Sequence, residues 1–243
     1  MARVIMVASG KGGTGKSTVA TFLAHELALK GYKTFLTELD IGFRSIDVIS
    51  GISEMAVYDI GDVLEGSCTA DKAIVVSPRT EKLHIMAAPG RKSDGALNNL
   101  KAFIDSIYNL YDYIVLDTAA GTGEAFRAAL AVSNMAIIVA TPDSISVRDA
   151  RIVSDEIYYN GIHDVRLIIN KYNKDRFRHS GFEDGDSIID ACCAQLLGVV
   201  PFDEQLHLSA MTGKALTAGS TGQKVFSSMA ERLNGSHTQI IVK

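Results

Sequence analysis

The feature that most constrains this chain lies within its first thirty-one residues. "RVIMVAS" is short, apolar and rich in β-branched residues; "GKGGTGKST" follows with four glycines; "VATFLAHELALKG" continues with an apolar helical pattern that closes at Gly31. A buried strand, a glycine turn and a helix in immediate succession are the opening unit of a parallel α/β sheet.

The turn fits the pattern G-x-x-x-x-G-K-[ST], with Gly10, Gly15, Lys16 and Ser17 in register. Glycines let the backbone aim successive N–H groups inward, and the helix N-terminus adds a field that favours an anion. The segment therefore reads as a phosphate cradle formed by Gly12, Gly13, Thr14, Gly15 and Thr18, with Lys16 reaching the outer phosphates and Ser17 ligating Mg²⁺.

Beyond this unit, strand-like runs recur between amphipathic helical segments: "KTFLTELD", "LHIMAA", "DYIVLDTA", "MAIIVATP", "VRLIINK" and "LLGVVPFD". With the first strand they make about seven, and the alternation implies a mainly parallel sheet with helices on both faces. No linker divides the 243 residues, so residues 1–243 are expected to form a single α/β domain, with a tail from about 235 to 243 expected to be flexible. No apolar run approaches the about 20 residues that cross a bilayer, which leaves a cytoplasmic address as the expectation. A net charge of −4 argues against a surface that coats nucleic acid. Cys68, Cys192 and Cys193 lack metal-ligand spacing, and the last two read as buried filler.

In sheets of this kind ligands bind at the carboxyl ends of the strands. That rule selects Asp40 after the second strand, Asp117 after the fourth, Asn170 after the sixth and "PFD", with Pro201, after the seventh. "YIVLDTAAG" is an apolar strand ending in an acid, a form that holds Mg²⁺ directly or through water. Asp40 is the candidate for orienting an attacking water, because phosphoryl transfer needs positioning more than strong base chemistry. Glu38 shares its face of the strand.

One lysine is in excess. Lys11, at the start of the loop, is too far round the turn to repeat the role of Lys16, yet it can project towards a second nucleotide. Across a symmetric dimer it would stabilise charge on the partner's phosphates, as an arginine finger supplied in trans does.

"KGGTGKST" resembles the deviant phosphate loop of the ParA/MinD family of ATPases, and "DIGFRSIDVISG", "VYDIGDVLEG", "RTEKLHIMAA" and "SVRDAR" resemble the MinD branch in order along the chain. The resemblance implies an ATP-dependent homodimer whose hydrolysis of ATP, slow and stimulated by a partner, releases it, most simply for cell-division site selection. It makes Lys11 the signature lysine, puts Asp40 and Asp117 in two switch segments, and brings Asn170 and Pro201 to the adenine. It also assigns Arg148, Asp149 and Arg151, on the Ser146–Arg151 segment, to the face that receives an activator or cargo protein. Glu38 stands where the family commonly has aspartate, and "DTAAG" lacks the usual proline. The family's C-terminal amphipathic membrane helix is not evident: Val225, Phe226, Met229 and Leu233 form a stripe that reads as core, ended by Asn234–Gly235. Membrane attachment is therefore left open, and the alternatives are a scaffold for polar, flagellar or pilus assembly and a chromosome or plasmid partition ATPase.

Overall fold

The computed structural model describes residues 2–90 and 97–241. The last two residues of the tail fall outside them. The first half of the chain runs β1 (Arg3–Ala8), α1 (Lys16–Leu29), β2 (Thr34–Glu38), α2 (Ser45–Ser50), α3 (Ile60–Leu64), α4 (Ala70–Ala73), β3 (Ile74–Val76), β4 (Leu83–Met86), α5 (Leu100–Ile107) and β5 (Tyr113–Asp117). The second half runs α6 (Glu124–Leu130), β6 (Met135–Ala140), α7 (Ser144–Tyr159), β7 (Val165–Tyr172), α8 (Lys174–Phe177), α9 (Gly185–Cys192), β8 (Gln195–Pro201), α10 (Glu204–Thr212) and α11 (Thr221–Leu233).

The strands form one sheet in the order β3-β4-β2-β5-β1-β6-β7-β8. Neighbours are parallel except β3, which pairs antiparallel with β4. The seven expected strands are all present, and β3 is an eighth: three residues at one edge, too short to show a periodicity. Strand residues alternate between the two layers. Val4, Met6 and Ala8 of β1 face a core closed by α5, α6, α7 and α9. Ile5 and Val7 face one closed by α1, α2, α10 and α11. α1 is buried along most of its length, which explains why its apolar residues run nearly all round it.

Val225, Phe226, Met229 and Leu233 of α11 are buried in the second core, so the terminal stripe packs on the domain as the sequence indicated. The described part of the tail, up to Ile241, lies against the domain. Arg232 donates from Nη1 to the Thr238 carbonyl at 2.8 Å and from Nη2 to the Leu196 carbonyl of β8 at 3.1 Å. Ile240 then packs on the first core and Ile241 on the second, so the chain straddles the β8 edge. Cys192 is buried as expected, whereas Cys193, at the C-cap of α9 with φ 50°, is exposed.

The register brings the chemistry together. β5 lies between β1 and β2, and Asp117 at its end stands opposite both Val7 and Glu38. The phosphate loop leaves β1, and the Asp40 segment leaves β2, on either side of Asp117.

Candidate functional site

The head of α1 differs from those of five other helices. Asp59, Asp143, Asp184, Asp203 and Ser220 cap α3, α7, α9, α10 and α11 through their side chains. α1 starts after Gly15, at φ 85° with no side-chain cap, so the free N–H groups of its first turn are left for a ligand. Gly13, at φ 77°, uses the same left-handed region, which glycine enters without a steric penalty. The loop encloses a cavity of about 320 Å³ whose walls include Lys11, Gly12, Gly13, Thr14, Gly15, Lys16, Ser17 and Thr18, with Asp40 across from them. The predicted cradle and the predicted water-orienting acid therefore share one space.

Its floor is charged. Lys16 Nζ donates to Asp117 Oδ1 at 2.7 Å, with both side chains buried. Burial pushes the Asp117 carboxyl up, against the pull of Lys16 and of the Ser17 hydroxyl. On the adjoining strand, burial raises Glu38 to about 8, and the Asp117 carboxyl adds to this. Glu38 Oε2 accepts the Ile46 N–H at 3.0 Å, so this side chain ties the start of α2 to the end of β2. Lys16 pairs directly with Asp117, while burial favours the protonated form of Glu38.

The donors present fit Mg²⁺. Asp117 Oδ2 is buried without a hydrogen-bond partner, and the Ser17 hydroxyl lies against the same carboxyl. A hydroxyl and a carboxylate oxygen beside an anion cradle are the hard ligands this cation takes.

Lys11 lies at the cavity mouth with its Nζ 3.6 Å from Asp143 Oδ1, both side chains nearly half exposed. An ion pair so open to water contributes at most about 1 kcal/mol, so Lys11 is readily released. Asp143 was not singled out in the sequence, although a strand followed by "TPDSIS" is a helix-cap signature. It accepts from Ser146 N at 3.0 Å and from Thr141 Oγ1 at 2.6 Å while it faces Lys11.

Asn170 and Pro201 meet at a second cavity of about 150 Å³, which adjoins the first through Gly15 and Thr18 and is walled by Phe202, Leu206 and His207. Its polar floor and apolar sides suit a flat heterocycle. The Asn170 amide also donates to the Thr14 carbonyl at 2.7 Å. Arg148, Asp149 and Arg151 lie outside both cavities, on α7. Arg148 pairs with Asp149 at 2.8 Å and Arg151 with Asp155 at 2.8 Å, beside exposed Ile145 and Ile152. α7 nevertheless abuts the loop: a Cβ on Gly10 would lie 2.3 Å from the Asp149 carbonyl oxygen.

Known proteins resemble this arrangement throughout its length. The ParA family profile, described as NUBPL iron-transfer P-loop NTPase, matches residues 1–234. The septum site-determining protein MinD of Synechocystis is 33% identical over 97% of this chain and 90% of its own length. MinD of Bacillus subtilis is 29% identical over 100% and 92%. Among solved structures, the MinC:MinD cell division protein complex of Aquifex aeolicus superposes with TM-score 0.90 at 29% identity, covering 99% of each chain. MinD of Pyrococcus horikoshii complexed with Mg-ADP does so with TM-score 0.86 at 25% identity, covering 96% of each. A family profile match over residues 1–234, MinD relatives over nearly the whole chain and a phosphate cradle with a second lysine at its mouth make this chain a MinD-like member of the ParA/MinD family of P-loop ATPases.

Proposed function

We propose that this chain is an ATP-driven dimerising switch of the MinD type that acts in division-site selection. The observation that carries the proposal is the position of Lys11: it lies at the mouth of a complete phosphate cradle, held only by a solvent-exposed pair with Asp143. The MinD relatives supply the cellular context.

In this reading Lys16 exchanges Asp117 Oδ1 for the outer phosphate oxygens of ATP, while the N–H groups of the loop and of the first turn of α1 hold the remaining charge. Ser17, and Asp117 through a water, would hold Mg²⁺, which when bound neutralises charge between the phosphates. Asp40 orients the attacking water. Lys11 of a second copy completes the charge stabilisation, so an isolated chain turns over slowly, and whatever favours closure accelerates it. The face of α7 that carries exposed Ile145, Arg148, Arg151 and Ile152, with half-buried Asp149 between them, is the docking surface for that activator or cargo protein. Because α7 abuts the loop at Gly10 and caps itself with the residue that pairs Lys11, a protein seated there has a short physical route to the cradle.

No described helix is long and apolar enough to cross a membrane. The apolar stripe of α11 is buried in the domain, so that stripe is not a surface offered to a membrane. Light scattering in Mg-ATP against Mg-ADP, together with phosphate release, tests the switch. The natural protein should double its mass only in ATP, and Lys11→Ala should bind ATP yet stay single. Unchanged dimerisation and turnover in Lys11→Ala would overturn the trans-lysine mechanism.

A further inference from the structure

A third lysine touches the phosphate loop. β7 and β8 fall out of step near their ends: the ladder passes from Ile169 opposite Val199 to Tyr172 opposite Pro201, three steps on one strand against two on the other. The extra residue is taken up at Asn170 and Lys171, and Lys171 has φ 57°. A lysine seldom adopts that left-handed conformation, and a bulge beside a ligand site re-aims side chains. Here the two re-aimed side chains reach consecutive carbonyls of the loop. Asn170 Nδ2 donates to the Thr14 oxygen and Lys171 Nζ to the Gly13 oxygen, each at 2.7 Å. Asn170 is further fixed because its Oδ1 accepts the Lys171 N–H at 2.9 Å.

The geometry of the peptide unit gives these contacts a consequence. In a trans peptide the C=O and the following N–H point in opposite directions. Holding the Gly13 carbonyl towards β7 turns the Thr14 N–H the other way, and holding the Thr14 carbonyl does the same for the Gly15 N–H. Both are thereby turned away from β7.

We infer that Lys171 is a positioning residue for nucleotide binding: its ammonium clamps the Gly13 carbonyl from behind and so presents the loop N–H groups to the β-phosphate. The clamp works with Asn170, and its role is separate from those of Lys11 and Lys16. It rests on the ATPase reading above, since a loop set for phosphate is its premise. The strained backbone of Lys171 is retained because that conformation is what lets the side chain reach back over the loop. Because Lys171 is exposed, water competes for its proton donors, and the effect of losing it is moderate rather than total.

Isothermal titration with ADP and with AMP, on the whole chain with Mg²⁺ present, tests the inference in Lys171→Ala, Lys171→Gly and Lys171→Arg. AMP enters the base pocket but leaves the cradle unfilled. Because Lys171 also borders the base pocket, AMP reports any loss there: ADP affinity should fall about 5- to 10-fold more than AMP affinity in both the alanine and glycine variants, and arginine should restore most of that difference. Glycine relieves the left-handed strain without restoring the ammonium, so recovery in glycine but not in alanine would overturn the clamp in favour of backbone conformation alone. Equal losses for ADP and AMP, or no loss in either variant, would also overturn it. Failure of the natural protein to bind ADP would remove the ATPase reading and the clamp together, an outcome distinct from all of these.

Discussion

His25 makes the phosphate-loop helix sensitive to acid. It lies within α1, 4% exposed, and its Nε2 has no hydrogen-bond partner. Burial, with the Arg79 guanidinium adding repulsion, lowers its pKa from 6.5 to about 4. The unfolded chain therefore takes up a proton near pH 6.5 that the folded chain refuses. The stability contributed by the neutral ring is complete above that pH and is lost as pH falls through the folded value. The shift corresponds to roughly 3 kcal/mol in full, of which about 2 kcal/mol is gone by about pH 5. His25→Leu removes both the proton site and the orphaned nitrogen while keeping an apolar body in the core. Urea unfolding of the nucleotide-free chain, at about pH 7.5 and about pH 5, should show the natural protein losing about 2 kcal/mol more than His25→Leu. The comparison cancels groups common to both proteins, including Glu38, whose raised pKa acts in the opposite sense. Parallel losses would refute the assignment of this acid sensitivity to His25.

Two further predictions concern the loop. Gly10→Ala should destabilise the chain by about 3 kcal/mol in thermal unfolding, because its Cβ would meet the α7 backbone at Asp149, whereas Gly12→Ala, with no atom within 4 Å of its Cβ position, should fold as the natural protein does. Lys16→Ala strands the buried Asp117 carboxyl and should lower nucleotide-free stability by about 3 to 5 kcal/mol in urea; adding Asp117→Asn should recover much of that loss without restoring ATP binding.

What could be read from the sequence followed from signals that are local along the chain. The strand, loop and helix around Lys16 declare themselves because glycine positions and apolar periodicity lie within one short window. The rule that ligands bind at strand ends then located Asp40, Asp117, Asn170 and Pro201. Asp143 and Lys171 were invisible for a different reason. Each acts on the loop from more than a hundred residues away, through a cap and a bulge whose side-chain directions no periodicity encodes. Glu38 shows the limit of alternation: a pleat assigns a face, but the hydrogen bond from Ile46 decides what its carboxyl serves. The strand β3 and the docked tail escaped because three residues show no period and because "SHTQIIVK" has neither cap nor amphipathic pattern.

Both margins of the sheet are closed to further strands. At one, β3 offers three residues and opposes the direction of the other strands; at the other, the Thr238–Ile241 segment and the Arg232 guanidinium cover β8. A half-open parallel sheet would otherwise be a template on which copies could stack irreversibly. In the switch proposed above, two copies would then meet through loops and helix faces rather than by pairing strands, and blunted margins would keep that association answerable to nucleotide.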